Sequence, residues 1–248
     1  MGSTIQMNIP LSKWTLLVVF ILTIVLMCAK IFKIWPWRRD IQRPVSVRDF
    51  SLKWTDGVVY YREIIPKGKA KLDVLLLHGM SFTSRNWLEL NTMNLLASYG
   101  YHVIALDLPG YGKSSYKLDT TQTSRSEFLW QFIKKTGFDS PVIVSPSMSG
   151  IFSLSYIAAL KPVKGFVAIA VVGTDKIPVK DYAHFPPTLI VRGSRDKGLG
   201  VTSTDILSKN VPDSSVEVIN DAGHACYLDK PEEFHAMLSR FLQLISSQ

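Results

Sequence analysis

The stretch VIVSPSMSG, Val142 to Gly150, decides the fold: a short apolar run is followed by three alternating serines. A continuous apolar run of this length indicates a buried strand, and a helical pattern follows the serines. The serine-rich segment is therefore either a polar turn with a helix N-cap or a sharp turn that presents a nucleophilic serine. The remainder of the sequence decides between these two interpretations.

Apolar runs of the same kind occur on both sides of this stretch and alternate with segments of helical spacing. The predicted strands are VLLL, VIAL, VIV, GFVAIAVVG, PTLIV and SSVEVIN, and the predicted helices cover 86–99, 126–136, 149–160 and 231–244. Asp56-Gly57 lies between two β-rich runs and predicts that they form a hairpin, which precedes the strands listed above. The alternation predicts one α/β domain over 50–248, with a mostly parallel sheet covered by helices on both faces.

The net charge of +8 is distributed unevenly along the chain. Residues 1–49 contain seven Lys/Arg and two Asp, a net charge of +5, whereas residues 50–248 contain 21 Lys/Arg and 18 Asp/Glu, a net charge of +3. Most of the basicity therefore accompanies the N-terminal segment, and we expect no nucleic-acid partner for the main domain.

An apolar segment begins at Trp14 and extends to Ile34. At the helical rise of 1.5 Å these 21 residues would measure about 31 Å, which is enough to cross a hydrocarbon core. A cleaved signal peptide is the rival interpretation, but Met27, Cys28 and Ala29 make a poor cleavage site. A buried core helix would have a polar face, which this run lacks. We therefore predict a retained transmembrane anchor over 14–34.

The charges beside the predicted anchor favour one orientation. Basic residues at 30, 33, 38, 39 and 43 lie at or beyond its C-terminal end, whereas Lys13 and the amino terminus precede it. The positive-inside tendency then leaves the large domain in the cytoplasm. The predicted organisation is a short tail over 1–13, the single-pass anchor, a basic juxtamembrane linker over 35–49, and the domain.

Three polar residues follow three of the predicted strands, at the edge where a parallel sheet carries its functional groups. Ser147 follows VIV, Asp196 follows PTLIV, and His224 follows SSVEVIN. Serine, acid and histidine in this order is the order of the α/β-hydrolase triad, in which the imidazole accepts the serine proton and the carboxylate orients the imidazole. We predict Ser147 as nucleophile, Asp196 as acid and His224 as base, with Asp175 as the alternative acid.

The turn around the predicted nucleophile departs from the usual pattern. Small residues are expected two positions before and after the nucleophile, because the strand-to-helix turn brings their backbones together. Glycine is usual at both positions, but Ser145 and Ser149 stand there, followed by Gly150. Serine is still a small residue, so the turn remains sterically possible.

Two backbone N–H groups are the predicted donors of an oxyanion hole. Met148 directly follows the nucleophile at a helix start, and Met80 follows His78-Gly79 in the loop expected to face it. Donors placed in this way stabilise the negative charge that develops on a tetrahedral intermediate.

Two further motifs resemble sites of other chemistry. Gly110-Tyr-Gly-Lys-Ser resembles a phosphate loop, but Asp107 stands where G-x-x-x-x-G-K-[ST] requires glycine. Cys226 lies two residues after His224, and we interpret it as a packed small residue rather than a thiol nucleophile. We predict no metal and no other cofactor.

The residues together resemble the α/β-hydrolase superfamily over about 50–246, and more narrowly the α/β-hydrolase domain-containing protein 14 family, in its membrane-anchored rather than its soluble branch. The matching stretches are VLLLHG, ALDLPGYGKS, VIVSPSMSG and AGHACYLDKPEEF. The resemblance implies the α/β-hydrolase fold and maps nucleophile, acid and base onto Ser147, Asp196 and His224. It also implies hydrolysis or transfer of small acyl groups, such as acetyl, on esters or amines.

Some superfamily members lack catalysis, so a noncatalytic binding or scaffold protein is the alternative function. A lipid-metabolising enzyme is a third possibility, which the anchor favours. Only about 15 residues separate Val172 from Pro187, where many relatives insert a cap domain. We therefore expect no large cap and a shallow, open site that suits small acyl groups on larger carriers better than enclosed lipids.

Overall fold

The structure is a computed structural model that describes residues 46–119 and 121–248. The predicted tail, the predicted transmembrane anchor and residues 35–45 of the predicted linker fall outside the described residues. Among the helices within the described ranges, none is long and apolar enough to cross a membrane.

The described domain alternates strands with helices, as the sequence predicts. The strands are β1 (Arg48–Trp54), β2 (Gly57–Ile64), β3 (Asp73–Leu76), β4 (His102–Leu106), β5 (Val142–Pro146), β6 (Gly165–Ile169), β7 (Thr188–Gly193) and β8 (Ser214–Ile219). The α-helices are α1 (Ser84–Glu89), α2 (Thr92–Ser98), α3 (Gln122–Lys135), α4 (Gly150–Ala158), α5 (Leu199–Asn210), α6 (Cys226–Asp229) and α7 (Pro231–Ser246). Short 3-10 helices cover Ser147–Ser149, Thr174–Lys176 and Val179–His184.

The eight strands form one sheet in the order β1-β2-β4-β3-β5-β6-β7-β8. β1 and β2 form the predicted hairpin, β2 is also antiparallel to β4, and all other neighbours are parallel. The strand order reverses at β3, which lies between β4 and β5, so the loops that follow β3 and β5 leave the same edge side by side. The mostly parallel α/β sheet is confirmed, and its first strand begins two residues before the predicted domain boundary at residue 50.

Side chains alternate across the sheet into two apolar clusters. Val74 of β3 packs with residues of α1, α2 and α7, whereas its neighbour Leu75 packs with residues of α3 and α4. Because helices cover both faces, both faces of the central strands are buried. This double burial explains why these strands are continuous apolar runs in the sequence.

The helix predicted over 86–99 is in fact two helices, α1 and α2. Between them Asn91 adopts a left-handed conformation with a φ of 60°, which interrupts the helical hydrogen bonds. Asparagine tolerates this conformation better than most residues. The single-helix prediction was wrong because the apolar spacing continues across the break.

His102 at the start of β4 lies between two carboxylates. Its Nε2 atom is 2.7 Å from Oε1 of Glu63, and its Nδ1 atom is 3.5 Å from Oδ1 of Asp73. Burial by itself lowers the pKa of His102, but the hydrogen bonds and negative charge of the two carboxylates outweigh burial and raise the pKa. The charged ring therefore connects β4 to both β2 and β3.

We predict that His102→Gln destabilises the domain mainly at low pH. A pKa raised by folding gives stabilisation that is complete below the unfolded value of about 6.5 and disappears as the pH rises through the folded value. The variant should lose roughly 1–2 kcal/mol of unfolding free energy at about pH 5.5, and less at about pH 8.5. Urea unfolding at both pH values measures the difference. The exposed His184→Gln is the matched control, and an equal loss for His102→Gln at both pH values would contradict the prediction.

Candidate active site

Ser147 lies at the sharp turn that joins β5 to the helices after it. Its φ is 49°, in the left-handed region that non-glycine residues seldom adopt. Its carbonyl accepts a hydrogen bond of 2.9 Å from the N–H of Val172, just beyond β6. A strained serine between a central strand and a helix is the geometry of a nucleophile elbow.

The structure brings the three predicted triad side chains into one hydrogen-bonded series. Ser147 Oγ is 2.9 Å from His224 Nε2, and His224 Nδ1 is 2.6 Å from Asp196 Oδ2. Because a carboxylate only accepts, Nδ1–H donates to Asp196, which leaves Nε2 free to accept the Ser147 proton. This is the tautomer that a general base for Ser147 requires.

Asp196 is held as a carboxylate by the loop that follows β7. Its side chain is only 7% exposed, and burial on its own would raise its pKa, but hydrogen bonds from His224 and from the N–H groups of Gly200 and Gly198 hold the pKa below its usual range. Gly200 lies so close that an added Cβ would be 2.6 Å from Asp196 Oδ2. The acid therefore depends on glycine at 200.

The loop that carries His224 is fixed against the end of β7. A Cβ on Gly193 would lie 2.2 Å from the carbonyl oxygens of both Ala222 and Gly223. The N–H of Gly223 donates to Asp229 Oδ2 at 2.7 Å. These contacts set the position of His224 from both sides, while its side chain stays 44% exposed.

The loop after β3 faces the nucleophile, as predicted. A Cβ on Gly79 would be 3.6 Å from the Cβ of Ser147. Buried His78 accepts from the N–H of Leu108 at Nε2 (2.9 Å), so its Nδ1–H donates to the Gly79 carbonyl (2.8 Å). Burial lowers the pKa of His78, which is consistent with a neutral ring that holds the loop.

The backbone N–H groups of Met148 and Met80 are the predicted oxyanion donors. Met148 belongs to the first turn of a 3-10 helix, where backbone N–H groups have no acceptor within the helix. Met80 follows Gly79, and its side chain is in solvent, with the residue 66% exposed. The assignment of these two N–H groups as oxyanion donors stays a prediction.

A small residue was expected at position 149, but the residue whose backbone packs too closely against its neighbour for a side chain is Gly150. A Cβ on Gly150 would lie 2.4 Å from the carbonyl oxygen of Val172. Ser145 and Ser149 are fully buried, and their hydroxyl oxygens are 2.9 Å apart. The steric requirement for glycine is thus shifted by one residue, and the serines have room for their hydroxyls.

The remaining candidates, Asp175 and Cys226, do not belong to the hydrogen-bonded series of the triad. Asp175, the alternative acid, is exposed in a 3-10 helix and pairs with Lys176 at 2.8 Å. Cys226 is fully buried, and burial raises the pKa of its thiol to about 12, which opposes a nucleophilic role. Within 46–119 and 121–248, no group of three His, Cys, Asp or Glu side chains is placed to hold a metal ion.

The triad lies in an open part of the surface. The segment between β6 and β7 carries only two short 3-10 helices, Thr174–Lys176 and Val179–His184. A cavity of about 520 Å³ lies among α3, α4 and this segment and has no triad residue in its lining. The side chain of His224 is 44% exposed, so the triad is open to solvent.

Sequence reasoning missed three residues that hold the triad in place. Gly200 makes room for the Asp196 carboxylate, Gly198 donates to it at 3.2 Å, and Asp229 fixes the peptide before His224. The signal available in the sequence was the pair of glycines two and four residues after Asp196. Nothing in the spacing of Asp229 indicated its role.

Comparison with known proteins identifies the class of protein to which this fold belongs. The family profile described as alpha/beta hydrolase fold matches residues 74–181. The crystal structure of a "predicted CIB-like hydrolase" from Thermoplasma acidophilum has a TM-score of 0.74 and 26% identity, and covers 79% of this chain and 98% of that one. The protein is therefore a serine hydrolase of the α/β-hydrolase superfamily.

Two relatives narrow this class. Protein ABHD14A of Danio rerio is 43% identical over 197 residues, which are 75% of this chain and 72% of that protein. The human "Putative protein-lysine deacylase ABHD14B" is 39% identical over 205 residues, which are 80% of this chain and 97% of that protein. The chain belongs to the α/β-hydrolase domain-containing protein 14 family.

We predict that Gly200→Ala lowers the turnover rate by about 10- to 100-fold, because the new methyl group displaces the Asp196 carboxylate and a shift of about 1 Å costs rates of this order. Steady-state kinetics with an acetyl ester measures it, with circular dichroism to verify folding. Ser208→Ala, which places an alanine on the exposed side of the same helix, is the control. A Gly200→Ala enzyme as fast as this control would show that the acid does not need the close approach.

Proposed function

We propose that this protein removes small acyl groups from larger carriers through an acyl-enzyme on Ser147. The observation that carries the proposal is the hydrogen-bonded series from Ser147 through His224 to Asp196. The name of the human relative mentions protein-lysine deacylation, which supports an acylated lysine of a protein as the substrate class.

The geometry supplies a role for each group. Ser147 Oγ attacks the acyl carbonyl while His224 Nε2 accepts the Ser147 proton, and Asp196 stabilises the imidazolium that results. The N–H groups of Met80 and Met148 bind the oxyanion. His224 then gives the proton to the departing amine or alcohol, and the acyl group remains bonded to Ser147.

Water completes the cycle. His224 accepts a proton from a water molecule, the resulting hydroxide attacks the acyl carbon, and Ser147 leaves with the proton that His224 returns. Transfer to an acceptor other than water would follow the same steps with that acceptor in place of water. The products of hydrolysis are a small carboxylic acid and the free carrier.

The open surroundings of the triad support a macromolecular carrier. No large insertion follows β6 in the described chain, so a bulky protein substrate can approach Ser147. A long lipid chain requires an apolar enclosure, and the cavity of about 520 Å³ among α3 and α4 has no triad residue in its lining. A flexible lysine side chain, in contrast, can carry its acyl group to a shallow site.

We predict that a fluorophosphonate probe labels the full chain and that Ser147→Ala abolishes the labelling. The same variant should lower deacylation of an acetyl-lysine peptide by about 1,000-fold or more, as loss of a triad member does elsewhere. Among esters, an acetyl ester should react faster than a long-chain one.

Ser155→Ala, on the helix after the elbow, is the control and should retain labelling. Folded wild type that resists the probe would contradict the enzymatic proposal and favour a binding function. Labelled wild type that hydrolyses esters but no acyl-lysine peptide would retain the hydrolase and exclude this substrate class.

We also propose that residues 14–34 anchor the domain in a membrane with the domain in the cytoplasm. The support is the apolar run and the basic residues beyond it, both outside the described residues.

We predict that the full chain remains in membrane pellets after alkaline carbonate washing, whereas a variant without residues 1–44 is released. Residues from Val45 onward form a separate compact unit, which makes this deletion suitable. Full-length protein in the carbonate supernatant would contradict the anchor, and protease protection in closed vesicles would contradict the orientation.

A further inference from the structure

Three buried serine hydroxyls surround the peptide that precedes the nucleophile. Ser145, Ser149 and Ser153, here called the elbow hydroxyls, are 0% exposed. Ser145 Oγ is 2.9 Å from Ser149 Oγ and 2.7 Å from Ser153 Oγ, and Ser149 Oγ is 2.8 Å from the carbonyl oxygen of Pro146. Buried hydroxyls of this kind need partners within the protein.

The chemistry of the acceptor fixes the direction of these hydrogen bonds. The Pro146 carbonyl can only accept, so Ser149 donates its proton there. Ser149 must then accept from Ser145, and Ser145, whose proton is used, must accept from Ser153. Every proton has an acceptor in this direction, and the other acceptor near Ser153, the Ser149 carbonyl, is farther away at 3.3 Å.

The series ends at the peptide that sets the backbone of the nucleophile. Pro146 and Ser147 share this peptide, and the φ of Ser147 is the rotation directly after it. Ser145 lies on β5, Ser149 in the 3-10 helix and Ser153 on α4, so the elbow hydroxyls join the strand, the turn and the helix. Glycine at 145 and 149 would supply none of these hydrogen bonds.

We propose that Ser145, Ser149 and Ser153 are positioning residues that hold Ser147 in its left-handed conformation through the Pro146 carbonyl. The catalytic measurements that test this proposal rest on the proposed function of Ser147. Ser145 and Ser149, which stand where glycine is usual, then have a role of their own: their hydrogen bonds, in addition to their small size, fix the elbow.

Because the hydrogen bonds run in one direction, removal of each hydroxyl is expected to have a different effect on the elbow. Removal of the Ser149 hydroxyl leaves the Pro146 carbonyl without its donor and Ser145 without its acceptor. Removal of the Ser153 hydroxyl takes only the donor from Ser145 and leaves the hydrogen bonds nearer to Pro146 intact. A space-filling role would give no such order, because both substitutions remove one oxygen from a fully buried site.

The test is the second-order rate of fluorophosphonate labelling per folded molecule, together with kcat and KM. We expect Ser149→Ala to lower the labelling rate and kcat by about 10- to 100-fold, Ser153→Ala to lower both by a smaller factor, and KM to change little. Ser155→Ala is the matched control: it lies on the same helix and loses a hydrogen bond of 2.7 Å to the Ile151 carbonyl, away from the elbow. It should lower the melting temperature without lowering the rate.

A double variant, Ser145→Gly with Ser149→Gly, separates hydrogen bonding from size. It restores the usual small residues but removes both hydroxyls, and we expect it to remain as slow as Ser149→Ala. Wild-type rates in this double variant, or equal rates in Ser149→Ala and Ser155→Ala, would overturn the proposal.

A second measurement keeps the proposal testable if wild type does not react with the probe, which would contradict the proposed function alone. The Val172 N–H donates to the Ser147 carbonyl at 2.9 Å, so its deuterium exchange reports on the elbow. We expect faster exchange at Val172 and in the peptide around Ser147 for Ser149→Ala than for Ser155→Ala. Equal exchange in the two variants would overturn the positioning role.

Discussion

The left-handed backbone of Ser147 is the constraint on which the rest of the site depends. A non-glycine residue in this region costs roughly 1–3 kcal/mol, so the surrounding structure must compensate for that cost. The Val172 N–H binds the Ser147 carbonyl, and Gly150 allows the helix to approach the end of β6 where a Cβ would clash. Because the turn is held between two central strands, Ser147 Oγ is directed at His224 and not at its own backbone.

The acid and the base are positioned by the same physical means, close backbone approach. Gly200 lies against the Asp196 carboxylate, and Gly193 lies against the carbonyls before His224. At each place a side chain would occupy space that a polar group of the site already fills. The carboxylate then receives N–H groups from its own loop as well as from His224, which keeps it ionised and leaves the imidazole in the tautomer that can accept a proton.

The succession of strands along the chain and the polar residue after each strand could be predicted from the sequence, because doubly covered strands are continuous apolar runs and functional side chains follow their C-terminal ends. Ser147, Asp196 and His224 were found in this way, and the structure brings them together. Asn91 and Gly200 could not be assigned in advance, since a helix break and a close approach depend on tertiary contacts. The shift of the required glycine from 149 to 150 depends likewise on where Val172 lies relative to α4.

The exposure of the triad bears on the choice between hydrolysis and transfer. His224 is 44% exposed, so water reaches the atoms that would deacylate Ser147. An enzyme that transfers its acyl group must exclude water or hold its acceptor in place, and the cavity of about 520 Å³ among α3 and α4 has no triad residue in its lining. The same exposure leaves a small acyl group few contacts, so binding energy for catalysis has to come from the carrier. Both consequences agree with the proposal of a hydrolase that selects the acylated macromolecule and not the acyl group alone.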